Sequence, residues 1–172
     1  MIRIGILSDS HTKSELHKKA LNYLMQNEVE YIIHAGDICT QSNIDDLKST
    51  KKPFVLVRGN NDHRLDDPSI KQEPYYFKIK EHSFKLMHLP YYMTPDSDIV
   101  IFGHTHHAKI EQKGGSLFLN SGEVCAREKD LSEVMILDIL QEEYHVTRAY
   151  RKPSSNIWIE EKREFSKEYT AL

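Results

Sequence analysis

The chain has 172 residues, 39% of them hydrophobic and 28% charged, which suits one globular domain with a sizeable core and excludes a disordered chain. Its 23 basic and 26 acidic residues leave a formal net charge of -3, so a dedicated binder of long nucleic acid is not expected. Cys39 and Cys125 make neither a disulfide framework nor a CxxC pair; with no bilayer-length apolar stretch and no signal-peptide pattern, the expectation is a cytoplasmic protein without a membrane partner.

Residues 2–7 are a short, β-branched apolar run, the pattern of a strand buried on both faces. The run ends in Ser8-Asp9-Ser10-His11, and open α/β sheets place ligands at the carboxyl ends of their strands. Thr12-Lys13-Ser14-Glu15 fits a capping box for a first helix, with Leu16, Ala20, Leu21, Leu24 and Met25 on one face and Gln26-Asn27 at its end. Residues 31–33 form a second buried strand leading into His34-Ala35-Gly36-Asp37. A shorter helix follows, expected to be capped by Ser42, with Ile44 and Leu47 inward. Residues 53–57 form a third strand running into Arg58-Gly59-Asn60-Asn61-Asp62. This β-α-β-α-β order implies parallel strands joined by right-handed crossovers.

The second half changes character. Strands are expected at 75–79, 84–88 and 98–102, the middle one ending in His88 and the last in Gly103-His104-Thr105-His106. Lys113-Gly114-Gly115 turns a hairpin between 108–112 and 116–120, and a last hairpin joins 134–140 to 144–150. Pairing here should be mostly antiparallel. The expected fold is α/β: two packed mixed β-sheets flanked by helices, an α/β/β/α sandwich. Residues 1–152 form the domain, and the tail 153–172 packs on it or extends it, Ile157-Trp158-Ile159 either adding an edge strand or covering another surface.

Five strand ends therefore carry polar groups. If the strands lie side by side, Asp9, His11, Asp37, Asn60, His88, His104 and His106 converge on one edge. Two carboxylates, one amide oxygen and four imidazoles are too many for one cation and suit a pair of ions sharing a carboxylate, roughly 3.5–4 Å apart. The glycine before Asp37, Asn60 and His104 is expected to let each strand end turn sharply. Singly, each of these groups is more often a turn, a cap or a core histidine than a ligand. His17, His82 and His145 lie away from the blocks and read as surface residues.

The ordered set Asp9-x-His11, Gly36-Asp37, Gly59-Asn60-Asn61-Asp62, His88 and Gly103-His104-Thr105-His106 resembles the calcineurin-like metallophosphoesterase superfamily, in particular its small bacterial and archaeal phosphodiesterases. The resemblance implies a dinuclear metal-dependent phosphoesterase, most readily a phosphodiesterase, in which a metal-bridging hydroxide attacks phosphorus in line. It implies that Asp9, His11 and His106 hold one ion, that Asn60, His88 and His104 hold the other, and that Asp37 bridges, with Asp37, Asn60 and His88 as the catalytic set. Two divalent ions follow, Mn2+ favoured by the resemblance, with Fe, Zn2+, Co2+ and Ni2+ also suited to nitrogen and oxygen donors. The partner implied is a small phosphate ester, and pairing of two chains through an exposed edge is left open.

Three departures stand out. Asn61 occupies the position of a histidine that protonates the leaving group in larger members, so Asn61, Arg58 and His63 become the candidate substrate contacts. Only 15 residues separate His88 from His104, leaving little room for the helix that small relatives carry there. The turn Asn120-Ser121-Gly122-Glu123 replaces an Asn-Pro-Gly-Ser-like one. The alternatives are a non-catalytic protein-binding scaffold on the same fold, and a nucleotide or phosphomonoester hydrolase.

Overall fold

The computed structural model describes residues 1–167; the last five residues of the expected tail lie outside the described part. In chain order the elements are β1 (Ile2–Leu7), α1 (Ser14–Gln26), β2 (Tyr31–His34), α2 (Gln41–Ser49), β3 (Phe54–Val57), β4 (Ile70–Lys71), β5 (Tyr75–Ile79), β6 (His82–Leu86), β7 (Ile99–Ile101), β8 (Lys109–Lys113), β9 (Ser116–Asn120), β10 (Ser132–Ile139), β11 (Glu143–Arg151) and β12 (Ile159–Ser166). They build a seven-stranded sheet, β12-β11-β10-β1-β2-β3-β4, packed on a five-stranded sheet, β5-β6-β7-β9-β8.

The apolar runs explain this stacking. Side chains alternate across a strand, so a run that is apolar throughout feeds two cores. Ile4, Ile6, Ile33 and Leu137 meet Phe84, Leu86, Ile101 and Leu119 between the sheets. Leu7, Ile32, Leu56 and Ile136 face the other way and meet Leu21 and Leu24 of α1 and Ile44 and Leu47 of α2. Each such side chain contributes about 1.5–3 kcal/mol when fully buried. Both helices thus lie outside the larger sheet. Outside the smaller sheet, Met87, Val100, Phe102 and Phe118 are covered by Met93 from the short connection between β6 and β7. The buried Lys85 pins that connection, donating to Thr94 Oγ1 and Asp96 Oδ1 at 2.8 Å each. Among the described residues, no helix is long and apolar enough to cross a membrane.

Local details depart from the pattern. No side chain caps α1, because Lys13, not Thr12, is its N-cap residue, and Glu15 pairs with Lys18 instead. The left-handed turn at His11 (φ 48°) displaces the helix start. Thr40 caps α2, its Oγ1 accepting from Asn43 N at 3.1 Å, which puts Ser42 inside the first turn. Strands β6, β7 and β9 run parallel to one another, although most pairing in the second half is antiparallel. The two-residue β4 has no counterpart in the sequence reading. In the tail, β12 pairs with β11 at the edge of the larger sheet, while Trp158 packs on Tyr23 of α1 with ring centroids 4.5 Å apart.

Candidate metal centre

The carboxyl ends of β1, β2 and β3 meet those of β6 and β7 at one end of the sandwich, and the seven polar tips gather there. His11 Nε2 lies 3.9 Å from Asp9 Oδ1 and 3.6 Å from Asp37 Oδ2. His106 Nε2 lies 3.3 Å from the same Asp9 oxygen. On the other side of Asp37, His88 Nε2 is 3.4 Å from Asp37 Oδ2 and 2.9 Å from Asn60 Oδ1, which in turn is 3.2 Å from His104 Nδ1. One oxygen of Asp37 therefore faces both groups.

These spacings suit donors that share a cation, since ligands about 2.0–2.2 Å from an ion lie roughly 3–4 Å from one another. Asp9 Oδ1 and His11 Nε2 are buried and have no hydrogen-bond partner among the described residues, the condition expected of atoms reserved for a cation. Ring orientation points the same way. His88 Nδ1 donates to Ala35 O at 2.8 Å, and His106 Nδ1 faces Glu123 Oε2 at 2.5 Å, so each Nε2 is turned toward an aspartate. The carboxylates draw positive charge to the cluster. Asp9, with Cys125 and Glu123, pushes His106 up to about 11. Burial works against charge on His88, yet Asp37 and Asp9 lift it above its ordinary value. Burial alone would raise the Asp37 carboxyl, but His88 and two Asn61 hydrogen bonds hold it below the usual carboxylate range. His11 is lowered, first by burial and then by the charge of Arg127.

The loops that carry the tips are unusually bent. Asp9, His11, Asp37, His104 and His106 all have left-handed backbones, with φ between 48° and 66°. Non-glycine residues held there cost about 1 kcal/mol or more each and persist only where the surroundings over-determine them. Gly36 alone among the three expected glycines uses a positive φ (93°). Gly59 and Gly103 instead make room: a Cβ would come within 2.2 Å of Asp37 Oδ1 at the first and 2.3 Å of Ser8 Oγ at the second.

What over-determines the loops is a set of buried polar groups. The Asp62 carboxylate accepts from the backbone N–H of Asp37, Cys39 and Gly59 at 2.7–2.8 Å. A directional chain runs beneath His11: Gly36 N–H donates to His34 Nδ1, His34 Nε2 to Ser10 Oγ, Ser10 O–H to His17 Nδ1, and His17 Nε2 to Asn43 O. Every link is satisfied with neutral imidazoles, and burial lowers His17 to about 4 and His34 well below its ordinary value. Asn43 Nδ2 then holds His11 O and Ile38 O at 2.9 Å. On the far side, Glu123 gathers the N–H groups of Glu128 and Lys129 while holding His106. Asn120 Nδ2 donates to Gly103 O and Thr105 Oγ1, so its turn backs the histidine pair.

The remaining candidates sit around the cluster, and one expectation, the surface placement of His17, needs correction. Asn61 is exposed, but its side chain and backbone N–H both donate to Asp37, at 2.7 and 2.9 Å. The Arg58 guanidinium donates to Asp62 O and Leu65 O, tying down its own loop. His63 is exposed and makes no hydrogen bond with the cluster among the described residues. His17 is fully buried rather than at the surface. Asn43 and Arg127 carried no local signal; Asp62 stood in the Gly59-Asn60-Asn61-Asp62 block and Glu123 in the Asn120-Ser121-Gly122-Glu123 turn, but neither was given a role.

A model of the calcineurin-like phosphoesterase superfamily domain matches residues 2–142. The chain is 26% identical to a phosphodiesterase of Methanocaldococcus jannaschii over 160 residues, covering 83% of this chain and 96% of that one. Among solved structures, an archaeal phosphodiesterase matches with TM-score 0.75 and 25% identity over 86% of this chain and 99% of that one. Vacuolar Protein Sorting 29 of Cryptosporidium parvum matches with TM-score 0.79 and 21% identity over 96% and 98%, a likeness of fold.

Proposed function

The chain belongs to the calcineurin-like phosphoesterase superfamily, and within it we propose a dinuclear metal-dependent phosphodiesterase. Asp9, His11 and His106 would hold one ion, Asn60, His88 and His104 the other, and Asp37 both. The observation that carries this reading is the single Asp37 oxygen placed 3.6 Å from His11 Nε2 and 3.4 Å from His88 Nε2. Bound there, divalent ions lower the pKa of water and accept charge developing on phosphoryl oxygens. Mn2+ is the favoured metal, and nitrogen and oxygen donors also accept Fe, Zn2+, Co2+ and Ni2+.

The chain's own residues supply position and charge. Glu123 and the Ala35 carbonyl keep the His106 and His88 lone pairs aimed at the aspartates. Asn61 holds the Asp37 carboxylate ionised and in place. An amide is no acid, so departure of a poor leaving group gets no proton from this position, and diesters with stable leaving groups fit best. Exposed Asn60 and His104 mark the side from which substrate enters, and the charge of Arg127, felt at His11, favours an anionic ester.

The test is hydrolysis of an aryl phosphodiester by the purified protein with Mn2+. Turnover that depends on the metal and disappears on chelation is expected. Protein that binds no Mn2+, Zn2+ or Co2+ by equilibrium dialysis would overturn the enzymatic reading in favour of a protein-binding role.

A further inference from the structure

A second concavity, of about 420 Å3, lies beside the cluster where the edge strand of the smaller sheet faces β11 and β12 of the larger one. Its walls include His107, Lys109, Lys129, Arg148, Glu161 and Arg163. It starts one residue from the metal cluster: His107 follows His106, and Lys129 Nζ donates to the His106 carbonyl. Three of these residues, Arg148, Glu161 and Arg163, come from beyond the span that the family model matches.

The charges around it do not balance. Lys129 and Arg148 share one buried carboxylate, Glu133, at 2.5 and 3.0 Å. Arg148 also reaches Glu161 at 3.0 Å, and Lys109 pairs with Glu111 at 2.6 Å. Arg163 makes only a long donation to Ile110 O at 3.4 Å among the described residues, and the exposed His107 ring has no partner there. Four cations thus meet three carboxylates around a cavity of the size that holds small ligands. Guanidinium groups suit phosphate, binding it through two parallel N–H donors.

The geometry points to this cavity as a second anion site, taking a further phosphate carried by the substrate diester. The inference rests on the phosphodiesterase reading and deepens it. The substrate class is then a short diester bearing an additional terminal phosphate, such as a 5′-phosphorylated dinucleotide.

The experiment compares pApA with ApA, two dinucleotides that differ only in the terminal phosphate, in the presence of Mn2+. Wild-type kcat/KM should favour pApA by about tenfold, mainly through KM. In a Lys109→Gln, Arg163→Gln double variant the preference should fall to within about twofold. No preference in the wild type, or the same preference in both proteins, overturns the inference. If neither dinucleotide is turned over, inorganic pyrophosphate is titrated calorimetrically into metal-free protein. Saturable binding that the double variant loses supports the site, and absence of binding to the wild type overturns it. Failure of aryl diester hydrolysis with pyrophosphate binding intact would instead sink the enzymatic reading alone.

Discussion

The two halves of the cluster are built differently. Asp9, His11 and His106 are buried, and each is held from behind: Asp9 by Ser8 Oγ and His104 N–H, His11 by Asn43, His106 by Glu123. Asn60 and His104 are exposed, and their side chains lean chiefly on each other and on His88. The buried half is thus a preformed cage within the core, whereas the open half has fewer side-chain holds behind it. Preformed sites hold ligands more tightly because little ordering remains to be done on binding. The difference teaches that, in the proposed dinuclear reading, the buried half would hold its ion as part of the fold and the open half would present its ion to the substrate.

The strongest challenge to that division is Asp37→Asn, because the residue belongs to both halves. Aryl diester kcat should fall by about 10^2–10^3-fold or more, with the circular dichroism spectrum unchanged; retained turnover would remove the shared carboxylate from the scheme. Next comes Glu123→Gln, expected to weaken metal binding about 10–100-fold at the buried half. His104→Ala should leave one of two metal equivalents in place, read by dialysis and metal analysis. Equal loss of both ions in either variant would erase the distinction between cage and open side.

A smaller effect concerns the histidine chain beneath the cage. His17 is held at about 4 against an ordinary 6.5, so its neutral form stabilises the fold above pH 6.5 and that contribution is lost as pH falls toward 4. Unfolding then takes up a proton that the native state refuses. Urea midpoints of metal-free protein should therefore drop across this window, with a slope of up to about 1.4 kcal/mol per pH unit for each such proton. His17→Gln should flatten the slope. The smallest effect is Thr40→Ala, which removes the cap on α2 and should cost about 1 kcal/mol in denaturant unfolding.

Much of the fold was legible because apolar runs are local. Residues 2–7, 31–33 and 53–57 announced both cores, and the polar blocks at their ends announced the edge where the cluster forms. What stayed hidden depends on contacts between distant segments. Glu123 meets His106 across 17 residues and Asn43 meets His11 across 32, and neither pair leaves a periodic trace. The supposed cap at Thr12 failed for a related reason. Its favourable pattern was overridden by the left-handed bend that aims His11, a tertiary demand invisible in a window of four residues. Parallel pairing of β6, β7 and β9 was hidden too, because the short connection carries no crossover helix to advertise it.

The five left-handed residues have a consequence for anyone who would transplant this centre. Copying aspartates and histidines onto another sheet would deliver the right atoms on the wrong vectors, since an ordinary strand exit throws them outward. The portable unit is the bend together with its buried clasps, Asp62 and the His34–Ser10–His17 chain included. Homologous recombination or grafting that cuts between a tip and its clasp should yield folded but metal-indifferent proteins.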